Sequence, residues 1–182
     1  MQVEKTLIQD LFILTPTVFS DERGYFFEAY NQLKLDALGI NITFVQDNQS
    51  FSQKGTLRGL HYQNPPFAQT KLVRVLSGEI LDVAVDLRKS SPTYGQHVAV
   101  RLSAENNKQL LIPHGFAHGF SVLSETATVL YKCDQFYNKA SEGGIRFDDP
   151  ALAIDWQMDV KNAIVSEKDM ILPGIQACNS MF

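Results

Sequence analysis

The sequence predicts one domain of 182 residues, dominated by β-strands that form a double-sheet barrel with a few short helices. Through the middle of the chain, apolar and polar residues alternate with period 2, the pattern of strands that separate two environments. Turn signals divide these segments at roughly 8–12 residues, the spacing of all-β sandwiches and barrels. Aromatic residues make up 10% of the chain, with 12 Phe and 6 Tyr, and such residues favour strands.

The strands are predicted in chain order, starting with a Gly-rich strand that ends at Pro65-Pro66. Lys71–Leu76 and Ile80–Arg88 then form two strands joined by a tight turn at Ser77-Gly78-Glu79. In the second of these, one face carries four aliphatic residues and the other carries Asp82 and Asp86. Further short strands are predicted in the segments HVAVRLS, QLLIP, AHGFSVLS and ATVLYKCDQFYN.

Helical signals are few. In the segment 29–40, Leu33, Ala37 and Leu38 recur at helical spacing, and Gly39 is a suitable C-terminal stop. Ser166 precedes acidic residues in VSEKDMIL, which predicts a second short helix.

Composition excludes several classes of function. The formal net charge of −4 and a pI of about 5.5 argue against a protein that binds a nucleic-acid backbone, because no basic excess is present. Cys133 and Cys178 form no CxxC motif, which disfavours a structural zinc site or a redox pair. The N-terminus lacks the features of a signal peptide, and Pro113 and Gly115 interrupt the longest uncharged stretch. We therefore expect a cytoplasmic protein without a membrane span.

Polar residues gather on the Gly-rich strand, where Arg58, His61 and Tyr62 lie close together in GTLRGLHYQNPP. Such a strand suggests a barrel interior that is lined for a ligand. Arg58 and His61 have opposite parity, so a regular strand would place them on opposite faces. A bulge at Gly59 would bring them to the same face.

The segment LIPHGFAHGF contains Pro-x-Gly-x-x-His at Pro113, Gly115 and His118, which resembles the second motif of the cupin superfamily of double-sheet barrels. Many cupins bind a metal through a His-x-His motif that precedes it. Here Tyr62 and Gln63 follow His61, so that motif is absent. Because a catalytic metal needs about three protein ligands, we expect no metal.

Longer runs, taken together, carry a more specific resemblance. They are DERGYFFEAYN, FVQDNQSFSQKGTLRGLHYQ, PPFAQTKLVRVLSGEILDVAVDLRKSSPTYG, IPHGFAHGF, Tyr131-Lys132, FDDPALAIDW and SEKD. In this order, and over about residues 1–175, they closely resemble the dTDP-4-dehydrorhamnose 3,5-epimerase family. The resemblance implies epimerisation at C3 and C5 of dTDP-4-dehydro-6-deoxy-D-glucose, giving dTDP-4-dehydro-L-rhamnose in dTDP-L-rhamnose biosynthesis. No cofactor is expected, because the C4 ketone makes both hydrogens acidic.

The resemblance implies four catalytic residues. His61 is the base, Asp169 orients it, Tyr131 is the proton donor on the opposite face, and Lys71 stabilises the enolate. By strand parity, Tyr131 shares a face with Val129 and Cys133, in agreement with an inward position. Thr70 precedes Lys71 where family members often have Gly.

The resemblance also implies a set of substrate-binding residues besides Lys71, with Phe26 and Tyr137 enclosing the thymine. The set is Arg23, Phe26, Glu28, Gln46, Asn48, Arg58, His118, Tyr137, Glu142 and Lys168. Family members are homodimers in which an N-terminal segment, here about residues 1–45, reaches the neighbour's site. Arg23, Phe26 and Glu28 are therefore expected to act in trans, whereas His97 and His114 are assigned to structure or surface.

Three alternatives stay open on the sequence. The chain could epimerise only C3 or only C5 of a dTDP-4-keto-6-deoxy sugar, since those enzymes share the same acid–base residues. It could bind a nucleotide sugar without chemistry. A metal-dependent cupin isomerase or oxygenase is the third.

Overall fold

The computed structural model describes residues 1–182 and consists mainly of β-strands. The strands are β1 Gln2–Lys5, β2 Phe12–Thr15, β3 Phe19–Asp21, β4 Gly24–Phe26, β5 Gln46–Gln53, β6 Leu57–Gln63, β7 Lys71–Ser77, β8 Glu79–Asp86, β9 His97–Ser103, β10 Gln109–Ile112, β11 Phe116–Val122, β12 Thr126–Cys133 and β13 Glu142–Gly144. The helices are α1 Gln32–Ala37 and α2 Glu167–Met170, with short 3₁₀ segments at Lys139–Ser141, Val160–Asn162 and Ile175–Ala177.

Two antiparallel sheets face each other and form the predicted double-sheet barrel. One has six strands in the order β1-β2-β10-β7-β12-β5, and the other has five in the order β13-β6-β11-β8-β9. A third, two-stranded sheet consists of β3 and β4 alone. The fold class expected from the strand spacing is confirmed. No helix is long and apolar enough to span a membrane.

The two strands and the tight turn predicted around Gly78 are present as β7 and β8, but the turn connects different sheets. The two strands do not pair with each other; β7 belongs to the six-stranded sheet and β8 to the five-stranded sheet. The chain crosses between the sheets at Gly78, which has a φ of 78° and leaves no room for a side chain, because a Cβ would lie 2.0 Å from the Thr126 carbonyl oxygen. The short connection at Gly78 therefore links the two sheets and does not form a β-hairpin.

The two faces of β8 pack in different layers. Ile80 and Ala84 face the other sheet and join the apolar cluster inside the barrel. Leu81 and Val83 point outward and are covered by the segment 145–182, which contributes Trp156 and Ile175 to a second apolar cluster. The acidic face of β8 therefore points into the barrel, and both Asp82 and Asp86 are fully buried.

Both predicted helices are present, and the first, α1, packs against the six-stranded sheet. Asn31 caps α1 by accepting the Lys34 N–H, and Gly39 follows its end with a φ of 79°. Leu35 and Ile40 pack on the outer face of the six-stranded sheet, whereas Leu33 is 78% exposed. The helical spacing of Leu33, Ala37 and Leu38 thus predicted the helix, and Leu35 is the residue of α1 that packs against the sheet.

Candidate active site

A cavity of about 510 Å³ lies between the two sheets. A second chamber of about 160 Å³ adjoins it, and His61, Lys71 and Tyr131 line both. Of the other residues predicted from the sequence, the larger space is lined by Arg58, His118, Lys168 and Asp169, and the smaller one by Gln46, Asn48, Tyr137 and Glu142. Eleven predicted residues therefore surround one connected space.

A bulge in β6 places Arg58 and His61 on the same cavity wall. His61 pairs with His118 of β11, and Arg58 pairs with Phe120, so β6 has one more residue than β11 over this interval. The extra residue is accommodated near Gly59, which has a φ of 115° and where an added Cβ would lie 2.6 Å from the Gly119 Cα. The predicted bulge is confirmed, and it resolves the conflict of parity between Arg58 and His61.

His61 forms a pair with Asp169 across 108 residues of sequence. Its Nε2 lies 2.8 Å from Asp169 Oδ1, while Asp169 Oδ2 accepts the Gly59 N–H at 3.1 Å. Ser166 caps α2 by accepting the Asp169 N–H, which fixes the carboxylate at the cavity edge. Burial alone would raise the pKa of Asp169, but the hydrogen bonds with His61 and Gly59 hold it below its usual value. The carboxylate therefore stays ionised beside the imidazole.

Lys71 and Tyr131 approach the cavity from the sheet opposite His61. Lys71 is on β7 and Tyr131 on the neighbouring β12, with the Lys71 ammonium 5.9 Å from the centre of the Tyr131 ring. Burial lowers the pKa of Lys71, and burial raises the pKa of the Tyr131 phenol. The phenol is thus protonated at neutral pH and can donate a proton.

The residue before Lys71 is held by a small polar network. Thr70 is buried, and its N–H donates to Asp134 Oδ1 at 2.7 Å. The other oxygen of Asp134 lies 2.8 Å from His114 Nε2. Lys71 stays in register beside Thr70, opposite Cys133 of β12, and His114 lines neither chamber of the cavity.

A second His–Asp pair lies deeper in the barrel. His118 Nε2 is 2.7 Å from Asp82 Oδ1, and both residues are buried. Burial lowers the pKa of His118, against the opposing effect of Asp82. The contact between His118 and Asp82 was not predicted from the sequence, although the acidic face of β8 is a signal that could have revealed it.

The smaller chamber carries a chain of polar contacts. Tyr137 Oη donates to Glu142 Oε2 at 3.2 Å, and Lys168 pairs with the other oxygen of Glu142. Gln46 accepts the Tyr137 N–H at 3.0 Å and donates to Asn48. The remaining wall residues were not among the predicted site residues. They are Ser50, Thr56, Leu57, Gly119, Phe120, Ile164, Val165 and Ser166 in the larger space, and Tyr62, Gln63 and Gln69 in the smaller one. These residues line the cavity because of the strand register and because the segment 164–166 runs beside the start of β6.

Comparison with known proteins assigns the family. A sequence model described as dTDP-4-dehydrorhamnose 3,5-epimerase matches residues 5–177. The chain belongs to this family. The chain is 58% identical to the dTDP-4-dehydrorhamnose 3,5-epimerase of Salmonella typhimurium over 157 residues, 86% of each chain.

Solved structures of 3,5-epimerases have the same fold. The crystal structure of dTDP-4-dehydrorhamnose 3,5-epimerase from Elizabethkingia anophelis is 54% identical, with a TM-score of 0.93 over 97% of each chain. A 3,5-epimerase from Legionella pneumophila, solved in complex with dTDP-4-keto-L-rhamnose, is 48% identical with a TM-score of 0.93, covering 97% of this chain and 93% of that one.

Three residues implied by the likeness to the 3,5-epimerase family do not line the cavity of their own chain. Arg23 pairs with Asp21 in the β3–β4 hairpin, and Phe26 at the end of this hairpin is 68% exposed. Glu28 pairs with Lys34 of α1. If these three residues bind substrate, they do so in the cavity of a second copy of the chain.

The 3,5-epimerase chain offers no set of ligands for a cupin-type metal. His61 and His118 are directly opposed on β6 and β11, but the Nε2 atom of each lies against a carboxylate. No three His, Cys, Asp or Glu side chains are grouped to hold a metal ion. The expected absence of a metal stays a prediction that a chelator can test.

Proposed function

We propose that this protein epimerises C3 and C5 of dTDP-4-dehydro-6-deoxy-D-glucose to give dTDP-4-dehydro-L-rhamnose. The observation that carries the proposal is the arrangement of two pairs around one cavity. His61 of the five-stranded sheet, paired with Asp169 of α2, faces Tyr131 and Lys71 of the six-stranded sheet. Membership of the 3,5-epimerase family supports the same reaction.

The reaction begins when His61 takes the proton from the carbon next to the C4 ketone. The electron pair of the C–H bond forms the enolate double bond, and negative charge moves to the C4 oxygen. Asp169 stabilises the imidazolium, and the Lys71 ammonium stabilises the enolate oxygen. The position of Lys71 in the cavity wall, on the sheet opposite His61, supports this role.

Inversion requires that the new proton arrive on the other face of the sugar. Tyr131 is on β12 of the six-stranded sheet and His61 on β6 of the five-stranded sheet, so a ring held between them meets one group on each face. After one inversion His61 holds an additional proton and Tyr131 lacks one, and exchange with water restores both. Hydrogen leaves and returns as a proton, so no redox cofactor is needed.

The nucleotide part of the substrate needs cationic and planar partners. We assign the diphosphate to Arg58 and Lys168, since guanidinium and ammonium groups bind phosphate well. Tyr137 stacks on the thymine, and the polar side chains of Gln46, Asn48 and Glu142 contact the base or sugar. His118 contacts the sugar or the phosphate from the cavity wall.

We further propose that the chain forms one domain and acts as a homodimer in which the hairpin of residues 19–26 enters the partner's cavity. The hairpin pairs only with itself, and Phe19, Tyr25 and Phe26 are 64%, 66% and 68% exposed. Arg23, Phe26 and Glu28 then contact the nucleotide in trans. A cytoplasmic location agrees with the two free thiols, Cys133 and Cys178.

The test is proton NMR of dTDP-4-keto-6-deoxyglucose incubated with the protein in D₂O. We expect deuterium at both C3 and C5 and a product that the rhamnose-forming reductase accepts. Exchange at one carbon alone would assign a mono-epimerase. Binding of the nucleotide sugar without exchange would leave a non-catalytic protein, and loss of activity with a chelator would indicate a metal enzyme.

A further inference from the structure

The last five residues, 178–182, form a C-terminal tail that lies beyond residue 177, where the match to the family ends. The tail follows the 3₁₀ segment Ile175–Ala177 and lines neither chamber of the cavity. It contacts β6, the strand that carries His61, through residues of the opposite face. This part of the chain therefore has a structural connection to the site although it is not part of the cavity wall.

Five hydrogen bonds hold the tail. Tyr62 Oη donates to Asn179 Oδ1 at 2.8 Å. Asn64 bonds the tail twice, because its Nδ2 donates to the Asn179 carbonyl at 3.1 Å and its Oδ1 accepts the Met181 N–H at 3.0 Å. Lys89 donates from Nζ to the Ser180 carbonyl and from its backbone to the Phe182 carbonyl. The tail is thus bonded at residues 179, 180, 181 and 182.

Tyr62 lies between the tail and β13, the edge strand that pairs with the catalytic strand β6. Its ring is 3% exposed and stands edge-on to Phe182, with the ring centres 6.3 Å apart. On its other side lies Gly143 of β13, where a Cβ would be 2.4 Å from the Tyr62 ring. β13 pairs with β6 so that Gly144 opposes His61 and Glu142 opposes Gln63. The Tyr62 ring is therefore held between the tail and Gly143, at the strand position next to His61.

The β6 backbone requires this support because its pairing with β11 is interrupted. The bulge at Gly59 lies two residues before His61, and the imidazole itself is held by a single carboxylate. A catalytic group must be fixed to within about 0.5 Å, and a shift of about 1 Å can reduce the rate about 100-fold. Anchoring the residue next to His61 limits how far the base can move.

We infer that the C-terminal tail is a positioning element for His61, acting through the Tyr62–Asn179 hydrogen bond. This inference rests on the proposed epimerase function. The tail lines neither chamber, so its loss is expected to change the rate of proton transfer while substrate binding is kept. A merely structural tail would change thermal stability alone.

The experiment compares full-length variants at a temperature well below their melting transitions. We expect Asn179→Ala and Tyr62→Phe each to lower kcat about 5- to 10-fold with KM within about twofold. Asn179→Asp keeps the acceptor oxygen and restores kcat. Gln176→Ala, at an exposed position just before the tail, is the matched control. The double variant Tyr62→Phe with Asn179→Ala is no slower than the slower single variant, because both remove one contact.

Each result decides between the possibilities. A lower Tm with unchanged kcat in Asn179→Ala overturns the inference, and so does a change confined to KM. Additive losses in the double variant would also contradict it. If the wild-type protein exchanges neither the C3 nor the C5 hydrogen, the proposed function is wrong, and the inference about the tail falls with it. An active wild type with an equally active Asn179→Ala overturns the role of the tail alone.

Discussion

The two His–Asp pairs have nearly the same hydrogen-bond length but different surroundings. His61 and Asp169 are 2.8 Å apart, and His118 and Asp82 are 2.7 Å apart. The His61 side chain is 34% exposed into the cavity, whereas that of His118 is 6% exposed. A hydrogen bond to a carboxylate is therefore insufficient to identify a catalytic base. The base must also be exposed to the cavity, where it reaches the substrate and exchanges its proton with water.

The carboxylates differ as well. Both oxygens of Asp169 are bonded, one to His61 and one to the Gly59 N–H. Asp82 has one oxygen on His118 and one buried oxygen without a partner. Leaving a buried acceptor unsatisfied costs stability. Asp169 is thus organised to stabilise a positive charge that appears on His61 during the reaction. Asp82 instead holds His118, whose pKa is lowered by burial.

The largest expected effect separates the two histidines. His61→Ala should lower kcat at least about 100-fold, because a general base contributes about 10²–10⁴ to the rate. His118→Ala should cost about 10-fold, since a substrate contact is lost but the base remains. Steady-state kinetics with the coupled reductase measure both. Equal losses in the two variants would contradict the assignment of a single base.

A smaller effect is expected for the acids. Asp169→Asn should lower kcat about 10- to 100-fold, because the amide keeps the shape but no longer stabilises the imidazolium. Asp82→Asn should change kcat by less than about threefold and leave Tm equal or higher, since it removes a buried charge but keeps an acceptor for His118. Kinetics and thermal melts of the pair check this. A loss of rate in Asp82→Asn as large as in Asp169→Asn would show that both pairs transfer protons.

The sequence could predict what depends on local pattern. Strand β12 and the bulge near Gly59 follow from alternation, and from the position of a glycine between two polar residues of opposite parity. The inward position of Tyr131 follows in the same way. These features are set by neighbours within a few residues.

Long-range pairing could not be derived from local pattern. Asp169 is 108 residues from His61, and its role was available only from the family resemblance. The crossing of the chain at Gly78 and the packing of Leu35 instead of Leu33 depend on which surface covers each element. The burial of Asp82 has the same origin, because the segment 145–182 takes up the apolar face of β8 and leaves the acidic face inside.

The smallest expected effect concerns stability at low pH. The pKa of Asp169 is lowered in the folded protein, since its hydrogen bonds outweigh the effect of burial, so the folded state binds fewer protons there than the unfolded state. This contribution is fully present above the unfolded pKa of about 3.9 and is lost as the pH falls through the lower folded pKa. Urea unfolding of wild type and Asp169→Asn between about pH 6 and pH 3 measures it. The free energy of unfolding should fall more steeply in the wild type than in Asp169→Asn. Parallel curves would mean that the His61–Asp169 pair orients the base without contributing to the acid stability of the fold.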